Sequence, residues 1–204
     1  MARGVFIVLE GGEGCGKSTQ CRLLADALRP RVRELVCTFE PGGTSRGVAM
    51  RAALLDDPTP LDPRAEALLM NADRAQHVAE VVAPAVARGA TVVCDRHAPS
   101  SIVYQGVARG LGVDTVSAVC DLATAGVRPD RVIVLDVCEP TARERRPAVP
   151  DRIELEGEEF HARVRAAYRD LAPRFGWLVI DGEGTPDEVA GRVLATVSDL
   201  VDDR

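Results

Sequence analysis

The segment GGEGCGKST (11–19) follows directly on the apolar run VFIVLE. Within it Gly11, Gly16, Lys17 and Ser18 stand at the spacing GxxxxGK[ST], the pattern of a loop that wraps phosphates. Glycines let successive backbone N–H groups face one cluster of oxygens, and the helix N-terminus that follows adds positive potential. Lys17 then neutralises the outer phosphate oxygens, and the Ser18 hydroxyl can ligate Mg²⁺. The residues expected around the phosphates of ATP are therefore Gly11, Gly12, Glu13, Gly14, Cys15, Gly16, Lys17, Ser18 and Thr19. Cys15 reads as a small residue that fits the loop, beside a helix N-terminus of the kind that lowers a thiol pKa. Glu13 is the anomaly, since a carboxylate here repels the phosphates the loop serves; its partner must be something other than phosphate.

Further groups with chemical potential lie downstream. Asp95 ends the run ATVVCD, where the carboxyl edge of an open parallel sheet gathers ligands, and so can reach Mg²⁺ or its waters. The next residue, Arg96, offers a planar fork of donors suited to a phosphate. Four arginines, Arg143, Arg145, Arg146 and Arg152, crowd into RERRPAVPDR, which two prolines interrupt; the segment 143–152 reads as a cationic lid. His77, His97 and His161 form no triad-like set by spacing, and none is assigned a catalytic role. A guanine-reading NKxD and an LSGGQ-like signature are both absent from the sequence, and DGEG (181–184) follows the last strand-like run, so it reads as a turn. What these exclusions leave is a small kinase for a small acceptor.

The elements that must position these groups are legible from hydropathy. Five β-type runs, at 5–10, 34–39, 90–95, 131–136 and 177–181, alternate with helical segments. Runs that are apolar on both faces suit a buried parallel sheet, so the expected class is α/β with a five-stranded parallel sheet flanked by helices. Asp62 and Pro63 supply an N-cap and first residue for a long helix ending at Gly89, and Thr185 with Glu188 has capping-box spacing. The 204 residues show no internal repeat or linker and read as one domain, 1–204. A net charge of -6 gives no footprint for nucleic acid polymers or anionic membranes. The six cysteines show no CxxC pairing and read as reduced thiols, which points to the cytoplasm.

Taken together, FEPGGT (39–44), ADRAQH (72–77), DRHAPSSIVYQG (95–106), RGL (109–111) and DRIE (151–154) make the chain resemble bacterial thymidylate kinase, in that family's motif order over nearly its whole length. The resemblance implies a nucleoside-monophosphate kinase fold, a homodimer, and transfer of the γ-phosphoryl group of ATP to dTMP with Mg²⁺. It assigns Arg96 to the acceptor phosphate, Arg74 to O4 of thymine, Ser101 and Gln105 to the segment along base and sugar, Tyr104 to the sugar 2′ position, and Glu13 to the 3′-hydroxyl. Pro41, Gly42 and Gly43 would turn close to the acceptor, with Glu40 orienting that turn. The loop lacks the arginine that some relatives carry, so the resemblance points to the subgroup whose transfer cation comes from the lid: Arg143, Arg145, Arg146 or Arg152. Two positions depart from the pattern. Phe39 replaces an arginine, and Met70 stands four residues before Arg74 where many relatives stack a phenylalanine on the base. A kinase for another pyrimidine nucleotide and an ATP-binding module without turnover are the alternative readings.

Overall fold

The computed structural model describes residues 3–145 and 150–201. Among them five strands fall within one residue of the expected runs: β1 (Phe6–Gly11), β2 (Leu35–Phe39), β3 (Thr91–Asp95), β4 (Arg131–Asp136) and β5 (Leu178–Asp181). All pair in parallel, in the order β2-β3-β1-β4-β5. The central strand β1 is buried along its whole length and sends alternate side chains to opposite faces. Ile7 and Leu9 join the core under α1 (Lys17–Leu28), with Leu24 and Leu28; Phe6 and Val8 pack with Val82, Ala85 and Val86 on the other side.

The register sets the site. Leu9 lies opposite Asp95, Phe39 opposite Asp95, and Gly11 opposite Leu135, so β1, β2 and β3 deliver residues 11, 40 and 96 to one edge of the sheet. Beyond β2 come α2 (Ser45–Leu55) and α3 (Pro63–His77), the latter opened by Asp62, whose carboxylate accepts from Arg64 N at 2.9 Å. The helix expected to run on to Gly89 does so in three pieces: α3, a π-helical turn at Val78–Val82, and α4 (Ala83–Ala87). The physical reason is Pro84, which cannot donate to a carbonyl one turn back; widening the preceding turn accommodates the lost bond. Another π-helical stretch, Ile102–Ala108, follows α5 (Ala98–Ser101) and carries Tyr104 and Gln105. The chain continues through α6 (Val113–Thr124), α7 (Glu139–Arg145), α8 (Glu158–Phe175), α9 (Pro186–Ala195) and α10 (Ser198–Val201). The Thr185–Glu188 capping box that opens α9 is formed in both directions.

Candidate active site

A cleft of about 1100 Å³ follows the carboxyl edge of the sheet. At one end lies the phosphate loop. Gly14 is required by close approach: a Cβ there would sit 2.1 Å from the Ala142 carbonyl oxygen on α7. Gly16, with φ 93, is the N-cap of α1 and brings no side-chain cap, and the first turn carries no acidic residue. The orphan N–H groups of that turn therefore remain available to an anion. Lys17 folds back across the loop and donates to the Gly12 carbonyl at 2.8 Å. Ser18 Oγ donates to Asp95 Oδ2 at 2.6 Å, which brings a hydroxyl and a carboxylate to one point. Cys15 is buried in the core beneath the loop, and its Sγ accepts from Lys17 Nζ at 3.5 Å.

Arg96 joins the two ends of the cleft. Its backbone is left-handed at φ 69, rare for a side-chain-bearing residue, and this aims the guanidinium back over the loop. There it donates to the Gly11 carbonyl and Ser100 Oγ, each at 3.1 Å, and to the Glu13 carboxylate, while lying 5.2 Å over the Tyr104 ring. Tyr104 donates to the same Glu13 oxygen at 3.0 Å. Burial raises the Glu13 pKa, but the charges of Arg96 and Lys17 and the bonds from Tyr104 and Arg96 outweigh it and hold the group at about 2. Within the chain, Glu13 is thus paired with Arg96 and Tyr104.

Behind the acceptor arm sits a buried carboxylate that the sequence reading treated only as a turn residue. Glu40 Oε2 accepts from Arg74 Nε at 2.9 Å, and Oε1 lies 2.8 Å from Nδ1 of both His77 and His97. Desolvation opposes its ionisation, yet His97, Arg74 and His77 together hold its pKa well below the usual carboxylate range. Arg74, itself buried, also donates to Asn71 Oδ1 at 2.8 Å, Ser101 Oγ at 2.9 Å and the His97 carbonyl at 3.0 Å. The Cys120 Sγ, 3.6 Å from Nη1, completes its surroundings, and Arg74 is still among the residues that line the cleft. Asp73, on the same helix, accepts from Gly42 N at 3.1 Å and so pins the turn after Pro41. Glu10 plays a comparable part on β1, accepting from His97 N at 2.8 Å, Ser100 Oγ at 2.7 Å and Tyr168 Oη at 2.7 Å. The signal for Glu10 was in the sequence: a single carboxylate closing an otherwise apolar strand must be paired.

Met70, Ser101, Tyr104 and Gln105 all line the cleft, as do Glu40 and Pro41. So does Phe39, and the cation missing from its position is supplied by a residue that the sequence did not reveal. Arg51 on α2 donates to the Pro41 carbonyl at 2.9 Å, with its guanidinium 6.0 Å over the Phe39 ring. The four lid arginines separate. Arg145 lines the cleft and donates to the carbonyls of Gly182 at 3.1 Å and Gly184 at 3.3 Å. Arg143 is exposed and pairs with Glu158 at 3.1 Å. Arg152 does not line the cleft; it is buried and paired with Glu66 at 2.7 Å. Arg146 lies outside the described residues. His97 is buried and does not line the cleft, and His161 is buried beside Phe160 with neither ring nitrogen hydrogen-bonded among the described residues.

A phosphate loop on the middle strand of this sheet, with an arginine-held second arm one strand away, is the arrangement of a nucleoside-monophosphate kinase. The family model for thymidylate kinase matches residues 9–193. A thymidylate kinase of Leifsonia xyli is 47% identical over 196 residues, covering 93% of this chain and 92% of its own. One from Synechococcus sp. is 44% identical, covering 95% of this chain and 94% of its own; one from Desulfosudis oleivorans is 43% identical, covering 97% and 98%. The chain belongs to the thymidylate kinase family.

Proposed function

We propose that the chain transfers the γ-phosphoryl group of ATP to dTMP, giving dTDP and ADP. The observation that carries this reading is the continuity of one cleft from Lys17 and Ser18 to Arg74, Met70 and Gln105, with Arg96 between. ATP lies along the loop with its phosphates on the α1 N-terminus and Lys17. The acceptor phosphate meets Arg96 and Arg51, Glu13 faces the sugar 3′-hydroxyl, and the base lies among Met70, Arg74, Ser101 and Gln105 beside Tyr104. Ser18 and Asp95 would hold Mg²⁺: two hard oxygen donors suit an ion that takes its other ligands from water and phosphate, and no cluster of three His, Cys, Asp or Glu forms a dedicated cage among the described residues. Bound there, the ion neutralises charge on the outer phosphates.

The chain's own residues then act on position and charge. The acceptor is a monoester with a second pKa of about 6, already a nucleophile at neutral pH, so no general base is needed. Charge on the transferring group is met by Lys17 and by a lid cation, which we assign to Arg145 or Arg146. Arg152 is left with a positioning task, since its guanidinium is committed to Glu66. We place the enzyme in the cytoplasm as one catalytic domain bearing the 143–152 lid and paired as a homodimer. Exposed Val48, Leu68 and Leu122 offer apolar surface to such a contact, and no helix among the described residues is long and apolar enough to cross a membrane. The test is turnover of dTMP, dUMP, UMP, CMP, dCMP, AMP and GMP with ATP and Mg²⁺. A clear preference for dTMP is expected. Preference for a different monophosphate, to which Met70 in place of an aromatic ring would contribute, overturns the substrate, and ATP binding without turnover overturns the activity.

A further inference from the structure

Glu66 lies in the first turn of α3 and is fully buried. Its Oε1 accepts from Gln105 Nε2 at 2.8 Å and Arg109 Nε at 3.3 Å; its Oε2 accepts from Arg152 Nη2 at 2.7 Å and Arg109 Nη2 at 3.2 Å. Both arginines are themselves fixed from outside. Arg152 Nε donates to the Leu54 carbonyl at 2.8 Å, while Arg109 lies 4.6 Å over the Phe160 ring and pairs with Glu156 at 2.6 Å. Burial disfavours the ionised form of Glu66, yet the bonds from Gln105, Arg152 and Arg109 prevail and leave its pKa below the usual range.

An ionised carboxylate accepts hydrogen bonds and cannot donate one. The end of the Gln105 amide that meets Glu66 must therefore be its NH₂, and the amide oxygen is turned away in a residue that lines the cleft. We propose that Glu66 is a specificity-determining positioning residue: by locking the Gln105 amide it makes a carbonyl oxygen the group offered to the base of the acceptor. The inference rests on the reading of this arm as a pyrimidine-nucleotide site. Thymine carries an N–H at N3 and satisfies that oxygen. Cytosine carries a lone pair at N3, so the two acceptors face each other unpaired, and a site built to receive a donor rejects an analogue that lacks it.

Glu66→Gln keeps the shape but replaces two acceptors with one acceptor and one donor, so either end of the Gln105 amide can face it. The experiment compares kcat/KM for dTMP and dCMP in wild type and variant at saturating ATP and Mg²⁺. The ratio of the two values cancels the fraction of enzyme that is folded, so lost stability cannot imitate lost selectivity. The dTMP:dCMP ratio should fall about tenfold or more in Glu66→Gln, and Gln105→Leu, which leaves the Glu66–arginine pairs intact, should narrow it as well. An unchanged ratio in either variant, alongside a wild type that prefers dTMP, overturns this inference and leaves the substrate reading standing. A wild type without that preference overturns both.

Discussion

Around the phosphate loop the groups proposed to meet a ligand are main-chain N–H groups and the side chains of Lys17 and Ser18, all from one stretch of nine residues. Around the acceptor arm they are side chains from α3, the end of β3 and the π-helical stretch, each held from behind by a carboxylate: Arg74 by Glu40, Arg96 by Glu13, Gln105 by Glu66. The first region is organised by backbone conformation and the second by charge taken out of water. A change in the loop should therefore act on the chemical step with little effect on folding, whereas a change to a supporting carboxylate should act on the fold as well.

Lys17→Ala puts the first half of that contrast to its hardest test. Turnover should drop by roughly 10³- to 10⁴-fold while the melting temperature stays nearly constant, and substantial residual activity would contradict the role given to Lys17. Next in size is Glu40→Ala, which leaves Arg74 buried without its carboxylate; a loss of about 3–5 kcal/mol is expected in urea unfolding, with activity falling only as the folded fraction falls and as Arg74 loses its placement. A stability within error of wild type would mean that the network is decorative.

Acid titration sharpens the comparison from the side of charge. Glu13 has a folded pKa of about 2, below its ordinary value of 4.5, so its contribution is fully present above pH 4.5 and is lost as pH falls through 2. That contribution is on the order of 3 kcal/mol, and replacing Arg96 with Met should move the acid-unfolding limb to higher pH; an unmoved limb would separate Glu13 from Arg96. The smallest of the four effects is expected from Arg145→Ala, about 10²-fold in kcat with KM for both substrates little changed. If KM rises instead, Arg145 binds ATP and the transfer cation is Arg146.

The same contrast explains what could be read beforehand. The phosphate loop, the five strands, Asp62 and the Thr185–Glu188 box were legible because each depends on residues within a few positions of one another. For Glu10 the apolar strand around it signals only that it must be paired, and the roles of Glu40 and Glu66 were not legible at all, because a buried carboxylate is defined by groups from distant segments. Arg152 illustrates the limit: its sequence neighbours place it in a basic run, while its spatial neighbours are Glu66 and the end of α2. Arg51 is the converse, an arginine on an ordinary helix turned toward the cleft by contacts with Pro41 and Phe39. The π-helical turn before Pro84 escaped because a proline in a helical pattern announces a lost bond, not how the backbone absorbs it.

The contact between Gly14 and Ala142 carries a mechanical consequence. Main chain rests on main chain there, with no side chain to yield, so a displacement of the first half of α7 would be felt directly by the phosphate loop. Any swing of the cationic arm must pivot beyond Ala142, which gives Arg145 a lever only three residues long. If Arg145 is the transfer cation proposed above, its reach would depend on rotation about its own side-chain bonds and on release of the Gly182 and Gly184 carbonyls, two hydrogen bonds that hold it like a latch.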